Sequence, residues 1–85
     1  MDVHNLIDMA NRIGEFFESM PDRDEALEGI ATHIRRFWEP RMRRAILGAI
    51  DQPEPADMPM LPVVREALLR YRERLTPAPE ENPVV

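Results

Sequence analysis

Prolines divide this chain into segments too short for one long helix, and the apolar residues between the prolines recur at helical spacing. Before Pro21, and again between Pro21 and Pro40, apolar side chains return every three or four residues, as on one face of an amphipathic helix. Proline can begin a helix but interrupts its interior, because it lacks an N–H group and disfavours helical backbone at the preceding residue. The sequence therefore predicts an all-α fold, a small helical domain of three to four helices.

The pattern also predicts where each segment begins and ends. We expect the first two helices to pack antiparallel and the third to cap them. A proline-rich acidic linker then follows, and because it has no apolar period we expect an extended, solvated connector that tethers the last helix. The segments are a helical domain at 1–50 with helices at about 3–20, 22–38 and 40–50, the linker at 51–60, a C-terminal helix at 61–75 and a flexible tail at 76–85.

Size and composition favour a subunit over a free-standing protein. A chain of 85 residues buries only about 60% of the surface that its unfolded form exposes. There is no cysteine, so neither a disulfide nor a thiolate metal site can reinforce so small a core. We therefore expect the chain to gain stability from a partner.

The charge of the chain argues against two classes of partner. A net charge of −5 disfavours binding to nucleic acid or to anionic lipid, since both are held mainly through phosphate neutralisation. All eleven basic residues are arginine, a residue favoured at protein interfaces, although a coding bias towards arginine would give the same count. The longest uncharged stretch, residues 58–64, is far short of the roughly 20 residues that cross a bilayer, and the first residues do not resemble a secretory signal. We expect a cytoplasmic location and no membrane contact.

The residue types available for chemistry do not form a catalytic or metal-binding set. His4 and Asp8 are one helical turn apart, but two ligands fall short of the three or four that zinc requires. His33 lies near the apolar face of the second helix, where an imidazole is expected to be buried or in an interface and hydrogen-bonded to a carbonyl. We therefore expect no catalytic residue, no metal site and no cofactor in this chain, which is not an enzyme by itself.

Arginines and aromatic residues are concentrated around the predicted break between the second and third helices. Phe37 and Trp38 are adjacent on a helix, about 100° apart, so one can be buried while the other faces outward. Two other interpretations are that both are core residues, or that the cluster contacts nucleic acid. Because these residue types are enriched at the centres of protein interfaces, we predict a partner-binding set of His33, Arg36, Phe37, Trp38, Pro40, Arg41 and Met42.

The first helix has a wider apolar face than one neighbouring helix needs. Beside its main stripe runs a second one, so this helix can serve two partners. The second stripe consists of Met9, Ile13, Phe16 and Met20.

Several short segments occur in an order and at a spacing typical of one family. They are MANRIG at 9–14, PDR at 21–23, GIA at 29–31, FW at 37–38 and PRMR at 40–43. Over about residues 6–75 the chain resembles the small delta subunit of the NAD-dependent, molybdenum- or tungsten-containing formate dehydrogenases of the bacterial cytoplasm. The stretch from GIA to PRM is the most specific part of this resemblance.

The resemblance implies partners and cofactors outside this chain. The alpha subunit would carry the bis-molybdopterin guanine dinucleotide, with molybdenum or tungsten, and iron–sulfur clusters, while the beta and gamma subunits would carry FMN and further clusters. A delta subunit would dock on the alpha subunit and stabilise the complex that oxidises formate to carbon dioxide and reduces NAD. Two alternatives remain. One is a transient assembly or cofactor-insertion factor whose arginines contact the cofactor's phosphates, and the other is a small helical nucleic-acid-binding regulator.

Overall fold

The structure, a computed structural model, describes residues 2–79. These residues form five helices and no strand, which confirms the predicted all-α class. None of these helices is both long enough and apolar enough to cross a membrane. The predicted flexible tail at 76–85 lies mostly outside the described residues. The helices are α1 Val3–Glu18, α2 Arg23–Phe37, α3 Pro40–Ala49, α4 Pro62–Arg70 and α5 Arg72–Leu75.

Short-range chemistry sets the starts of the first four helices. The carboxylates of Asp2 and Asp22 accept hydrogen bonds from the backbone N–H two residues later, at 3.0 and 2.9 Å, and so satisfy donors that a helix start leaves open. Pro40 and Pro62 occupy the first positions of α3 and α4, where the missing N–H costs nothing. The residue before Pro40 is extended, as is Trp38, and this ends α2.

The core is shared by the first four helices and by the single turn of α5. α1 and α2 pack as a helical hairpin joined by residues 19–22, α3 packs against α1, and α4 packs against both α1 and α2. The largest completely buried side chains come from every helix, and they are Ile7, Leu27, Ile30, Ile34, Ile46, Val63, Val64, Leu68 and Leu75.

The C-terminal helix packs into this core and is not a separate element that only the linker tethers. The side chains of Val63, Val64, Ala67 and Leu68 are completely buried within the chain. A helix with one apolar stripe must bury it, and the nearest apolar surface is the α1–α2 hairpin of the same chain. The predicted helix at 61–75 is also interrupted at Tyr71, whose ψ of 23° separates α4 from α5.

Most linker residues are exposed, but the C-terminal end of the linker is fixed by hydrogen bonds that its composition does not predict. Met60 is only 6% exposed, and its N–H donates to the carboxylate of Glu54 at 2.6 Å. The side-chain amide of Asn11 holds the end of the linker from both sides. It donates to the carbonyl of Pro59 and accepts from the N–H of Leu61, each at 2.9 Å. Buried backbone groups require such partners, and composition alone does not reveal them.

Arginines attach the C-terminal elements to the rest of the fold. Arg72 bonds the carboxylate of Asp51 through both of its terminal nitrogens, at 2.6 and 3.1 Å. The hydrogen bonds from Arg72 are the largest cause that holds the pKa of Asp51 below its usual value. The ion pair between Arg72 and Asp51 therefore contributes fully to stability at pH values above the usual pKa of an aspartate. This contribution is lost as the pH falls through the lowered pKa of Asp51. Arg43, only 3% exposed, donates to the carbonyl of Leu75 at 3.2 Å and so ties α3 to the end of α5.

Gly14 lets α4 pack close against α1. A Cβ atom at this position would lie 2.5 Å from Cγ2 of Val64 and 3.3 Å from Cγ1 of Val63. Both valines are completely buried and their stiff side chains cannot move aside. At Gly48, in contrast, a Cβ atom would have no neighbour within 4 Å outside its own helix in the part of the chain that the structure describes.

Substitution by alanine should change the free energy of unfolding in opposite directions at these two glycines. Gly14→Ala separates α4 from α1, and we expect it to lower the free energy of unfolding by about 1–3 kcal/mol, as overpacking does. Gly48→Ala adds helix propensity without a clash, and we expect it to raise that free energy by up to about 1 kcal/mol. Urea denaturation followed by circular dichroism measures both. Equal effects of the two substitutions would contradict the close packing at Gly14.

The two hydrogen bonds of the Asn11 side chain lead to a second prediction. Asn11→Ala leaves the N–H of Leu61 and the carbonyl of Pro59 without the partner they have, and we expect a loss of about 1–3 kcal/mol in the free energy of unfolding. Hydrogen exchange at Leu61 should accelerate by more than exchange in the α1–α2 hairpin. Asn5→Ala is the matched control, because Asn5 is exposed and, within residues 2–79, its side chain hydrogen-bonds only to the sulfur of Met9. If hydrogen exchange at Leu61 is unchanged in the Asn11 variant, these two hydrogen bonds do not fix the end of the linker.

Candidate docking surface

The structure separates the predicted partner-binding residues into two groups. The ring of Trp38 is 6% exposed and belongs to the core, and Met42 packs against that core. Trp38 therefore packs inside this chain and does not present its ring to a partner. Phe37, next to it, is 67% exposed. The remaining four are at least partly accessible, namely His33 and Arg36 on α2 and Pro40 and Arg41 on the first turn of α3.

Four rings form a continuous surface across α1 and α2, which we call the aromatic face: Phe16, Phe17, His33 and Phe37. The centroids of Phe16 and Phe17 are 5.0 Å apart, edge to face. Phe17 lies 6.5 Å from His33, and His33 lies 4.8 Å from Phe37. Such distances are typical of favourable aromatic pairs. The guanidinium carbon of Arg36 lies 5.7 Å from the centroid of Phe37, within the range of a cation–π contact.

Gly29 explains why the ring of Phe17 can lie directly on α2. A Cβ atom on Gly29 would be 2.5 Å from two atoms of that ring, so any other residue would displace it. The GIA segment thus has a physical role in this fold. The absence of a side chain at Gly29 leaves room for the ring of Phe17, while Ile30 and Ala31 are completely buried in the core.

The outer rings of the aromatic face are unusually exposed for their size. Phe16 is 72% exposed and Phe37 is 67% exposed. Removing one phenylalanine side chain from water contributes about 1.5–3 kcal/mol, so a partner that covers both rings gains a large part of its binding energy there. Adjacent exposed apolar groups with a polar rim mark interaction sites.

An open groove with a volume of about 570 Å³ runs along α2 beside these rings. Glu25 and Glu28 lie towards one end of it, and Arg36 lies at the other end. Glu28 is 3.9 Å from Arg74, an exposed pair that contributes little. The groove is lined by Phe17, Met20, Glu25, Glu28, Gly29, Thr32, His33, Arg36 and Phe37.

His33 is held by rings and not by a carbonyl. The sequence predicted a hydrogen bond from its imidazole to a carbonyl group, but within residues 2–79 the structure shows only its contacts with Phe17 and Phe37. The side chain is half-buried between the two helices. It therefore acts in this fold as a flat side chain that connects the two halves of the aromatic face.

The described residues do not assemble a metal-binding cluster of three or more candidate ligands. Asp8 accepts a hydrogen bond from Arg12 at 3.2 Å, and His4 lies 3.7 Å from Asp57, so the two residues considered from the sequence each face a different group. The aromatic face instead presents an apolar area, and the groove beside it has charged residues at both ends. That arrangement suits the binding of another protein surface.

Phe16 and Phe17 are absent from the residues predicted to bind a partner, although they form half of the aromatic face. The second apolar stripe of helix one was a signal for Phe16, whereas Phe17 belongs to the main stripe of that helix. The prediction gave more weight to the arginine-rich break after α2. Periodicity cannot show that the C-terminal half of α1 lies beside His33 and Phe37, because that depends on how the two helices pack.

Comparison with known proteins identifies one family. The family model described as "NADH-dependant formate dehydrogenase delta subunit FdsD" matches residues 5–68, which extend from α1 to Leu68 in α4. No curated protein and no solved structure matches the chain.

The neighbours Phe37 and Trp38 should respond oppositely to truncation. We expect Trp38→Ala to lower the free energy of unfolding by about 3–5 kcal/mol, since it empties a core position. Phe37→Ala removes a ring that is mostly in water, and surface substitutions usually change stability by about 0.5 kcal/mol. Thermal unfolding of the two variants measures the difference. Equal losses would show that Phe37 is as buried as Trp38 in solution.

Proposed function

Because this chain belongs to the FdsD family of NADH-dependent formate dehydrogenase delta subunits, we propose that it is a non-catalytic accessory subunit that docks on the alpha subunit through the aromatic face. The observation that carries this proposal is the exposure of Phe16 and Phe37 beside an open groove. The proposed complex is the enzyme of the cytoplasm that oxidises formate and reduces NAD.

Docking through this face uses the residue types that dominate binding energy elsewhere. Hot spots are enriched in aromatic and arginine side chains that become fully desolvated. Phe37 with Arg36 over its ring forms such a pair, and the ring of His33 contacts Phe37 at a centroid distance of 4.8 Å. The rings are held by the α1–α2 hairpin, so little conformational freedom remains to be lost when a partner covers them.

The contribution of this subunit to the enzyme is stability and not chemistry. The bis-molybdopterin guanine dinucleotide with molybdenum or tungsten, the iron–sulfur clusters, FMN and NAD all belong to the alpha, beta and gamma subunits in this proposal. A partner that binds only the folded alpha subunit stabilises that folded form by mass action. The loaded cofactors are then protected because the protein around them unfolds less often.

A second candidate is transient assistance during cofactor insertion, which arginines on α2 and α3 support. Arg35, Arg36 and Arg41 are exposed, and Nη2 of Arg44 is buried without a hydrogen-bond partner among the described residues. Guanidinium groups bind phosphates through paired hydrogen bonds. Equimolar retention of this chain in the purified active enzyme supports the permanent subunit, whereas its presence only on cofactor-free alpha subunit supports the transient role.

The docking proposal predicts the effect of removing the two exposed rings. We expect the double substitution Phe16→Ala and Phe37→Ala to weaken association with the alpha subunit by at least about 2 kcal/mol, the usual threshold of a hot spot. The measurement is the dissociation constant of the purified variant for the complex that lacks this subunit. Co-purification from cells with a tag after residue 79 gives the stoichiometry independently.

Leu69→Ala is the matched control for this experiment. Leu69 is 52% exposed on α4 and does not line the groove, so its truncation removes a similar apolar side chain elsewhere. We expect association to be unchanged in this variant and the melting temperature of both variants to stay near that of the parent chain. If the Leu69 variant loses binding while the double phenylalanine variant keeps it, the docking surface is on α4 and the proposal is wrong.

A further inference from the structure

The groove beside the aromatic face has opposite charges at its two ends. Glu25 and Arg36 both line it and are eleven positions apart on α2, a distance of about 16 Å at the rise of an α-helix. Within residues 2–79 neither side chain takes part in an ion pair. Between them the groove is lined by Gly29 and the ring of Phe17, with Thr32 and His33 beside them. A ligand of this groove must therefore match two separated charges and an apolar centre.

The backbone of this ligand must satisfy its own hydrogen bonds. The groove lies between helices, and the described residues contain no strand whose edge could pair with an extended peptide. An extended chain laid on the apolar floor would leave its N–H and C=O groups without partners, which is costly. A helix satisfies these groups internally and presents only side chains, the mode in which amphipathic helices occupy grooves.

The helix that fits also has a preferred direction. Helices favour cations near their C-terminus and anions near their N-terminus because of the peptide dipole. A cation is required opposite Glu25 and Glu28, at the N-terminal end of α2, and an anion is required opposite Arg36, at its C-terminal end. Both conditions are met when the bound helix runs antiparallel to α2.

We propose that the groove binds an amphipathic helix of about three turns from the alpha subunit, antiparallel to α2, with a basic residue against Glu25 and Glu28 and an acidic residue against Arg36. This inference rests on the proposed function for the identity of the partner. It adds the secondary structure, the charge order and the direction of the segment that is bound. The apolar side chains of that helix cover the rings of Phe17 and Phe37.

Charge reversal at the two ends of the groove tests the charge order. In the reconstituted complex, Glu25→Arg and Arg36→Glu should each weaken association by about tenfold or more, because a like charge then faces each end. The association rate of the parent chain should fall as salt increases, and each reversal should reduce that dependence. The matched controls are Arg35→Glu and Glu15→Arg, which change exposed residues that do not line the groove and should leave affinity within about twofold.

The outcomes distinguish this inference from the docking proposal. If truncation of Phe16 and Phe37 abolishes docking while both charge reversals leave it unchanged, the surface is correct and the charge order is wrong. If Arg35→Glu weakens binding as much as Arg36→Glu, the effect is one of overall charge and the inference is overturned. Circular dichroism of each variant verifies that the helices are intact.

Photo-crosslinking in the complex tests the direction of the helix. A benzophenone side chain at position 25 and, separately, at position 36 should each attach to the alpha subunit, within one helix. The peptide captured from position 25 should lie about eleven residues C-terminal to the peptide captured from position 36, the separation set by helix geometry. The reverse order, two unrelated segments, or capture of a second copy of this chain would each overturn the proposal.

Discussion

The contact of α4 with α1 at Gly14 is the interaction on which the rest of this fold depends. The missing side chain lets Val63 and Val64 lie against the backbone of α1, and four completely buried side chains of α4 then close the core of the hairpin. Three positions earlier, the amide of Asn11 fixes the two backbone groups that precede α4. The MANRIG segment thus holds both the linker and the last long helix, and a chain this short has few other contacts that could replace them.

Closing the core in this way leaves the aromatic face uncovered. The hairpin buries Ile30, Ala31 and Ile34 together with Trp38, whereas Phe16 and Phe37 stay in water although they are as apolar as the residues inside. Their ring contacts with Phe17 and His33 hold them at the surface. In the proposed complex these rings would be buried against the alpha subunit, as interface anchors are.

Much of the architecture could be predicted from the sequence, because its causes are local. The prolines at positions 21, 40 and 62 and the apolar spacing between them indicated the helices to within about two residues at most ends, as expected when boundaries depend on caps. The sequence did not indicate that the end of the linker is fixed or that the C-terminal helix closes the core. Proline and acidic residues are typical of solvated connectors, but composition does not reveal the hydrogen bonds that Asn11 in α1 and Glu54 within the linker make to the end of the linker.

The candidate site could be predicted only in part for a related reason. Helical spacing showed that either Phe37 or Trp38 could face outward, since neighbours on a helix are about 100° apart. In the structure α2 ends at Phe37, and the extended backbone of Trp38 carries its ring into the core while Phe37 stays outside. The packing of α1 against α2 brings Phe16 and Phe17 beside His33 and Phe37, which no spacing within one helix could show. By itself, the sequence determined the helices, the proline boundaries and the family, because each depends on residues close together in the chain. Only the tertiary structure decided which aromatic rings form the exposed surface, because that depends on contacts between helices.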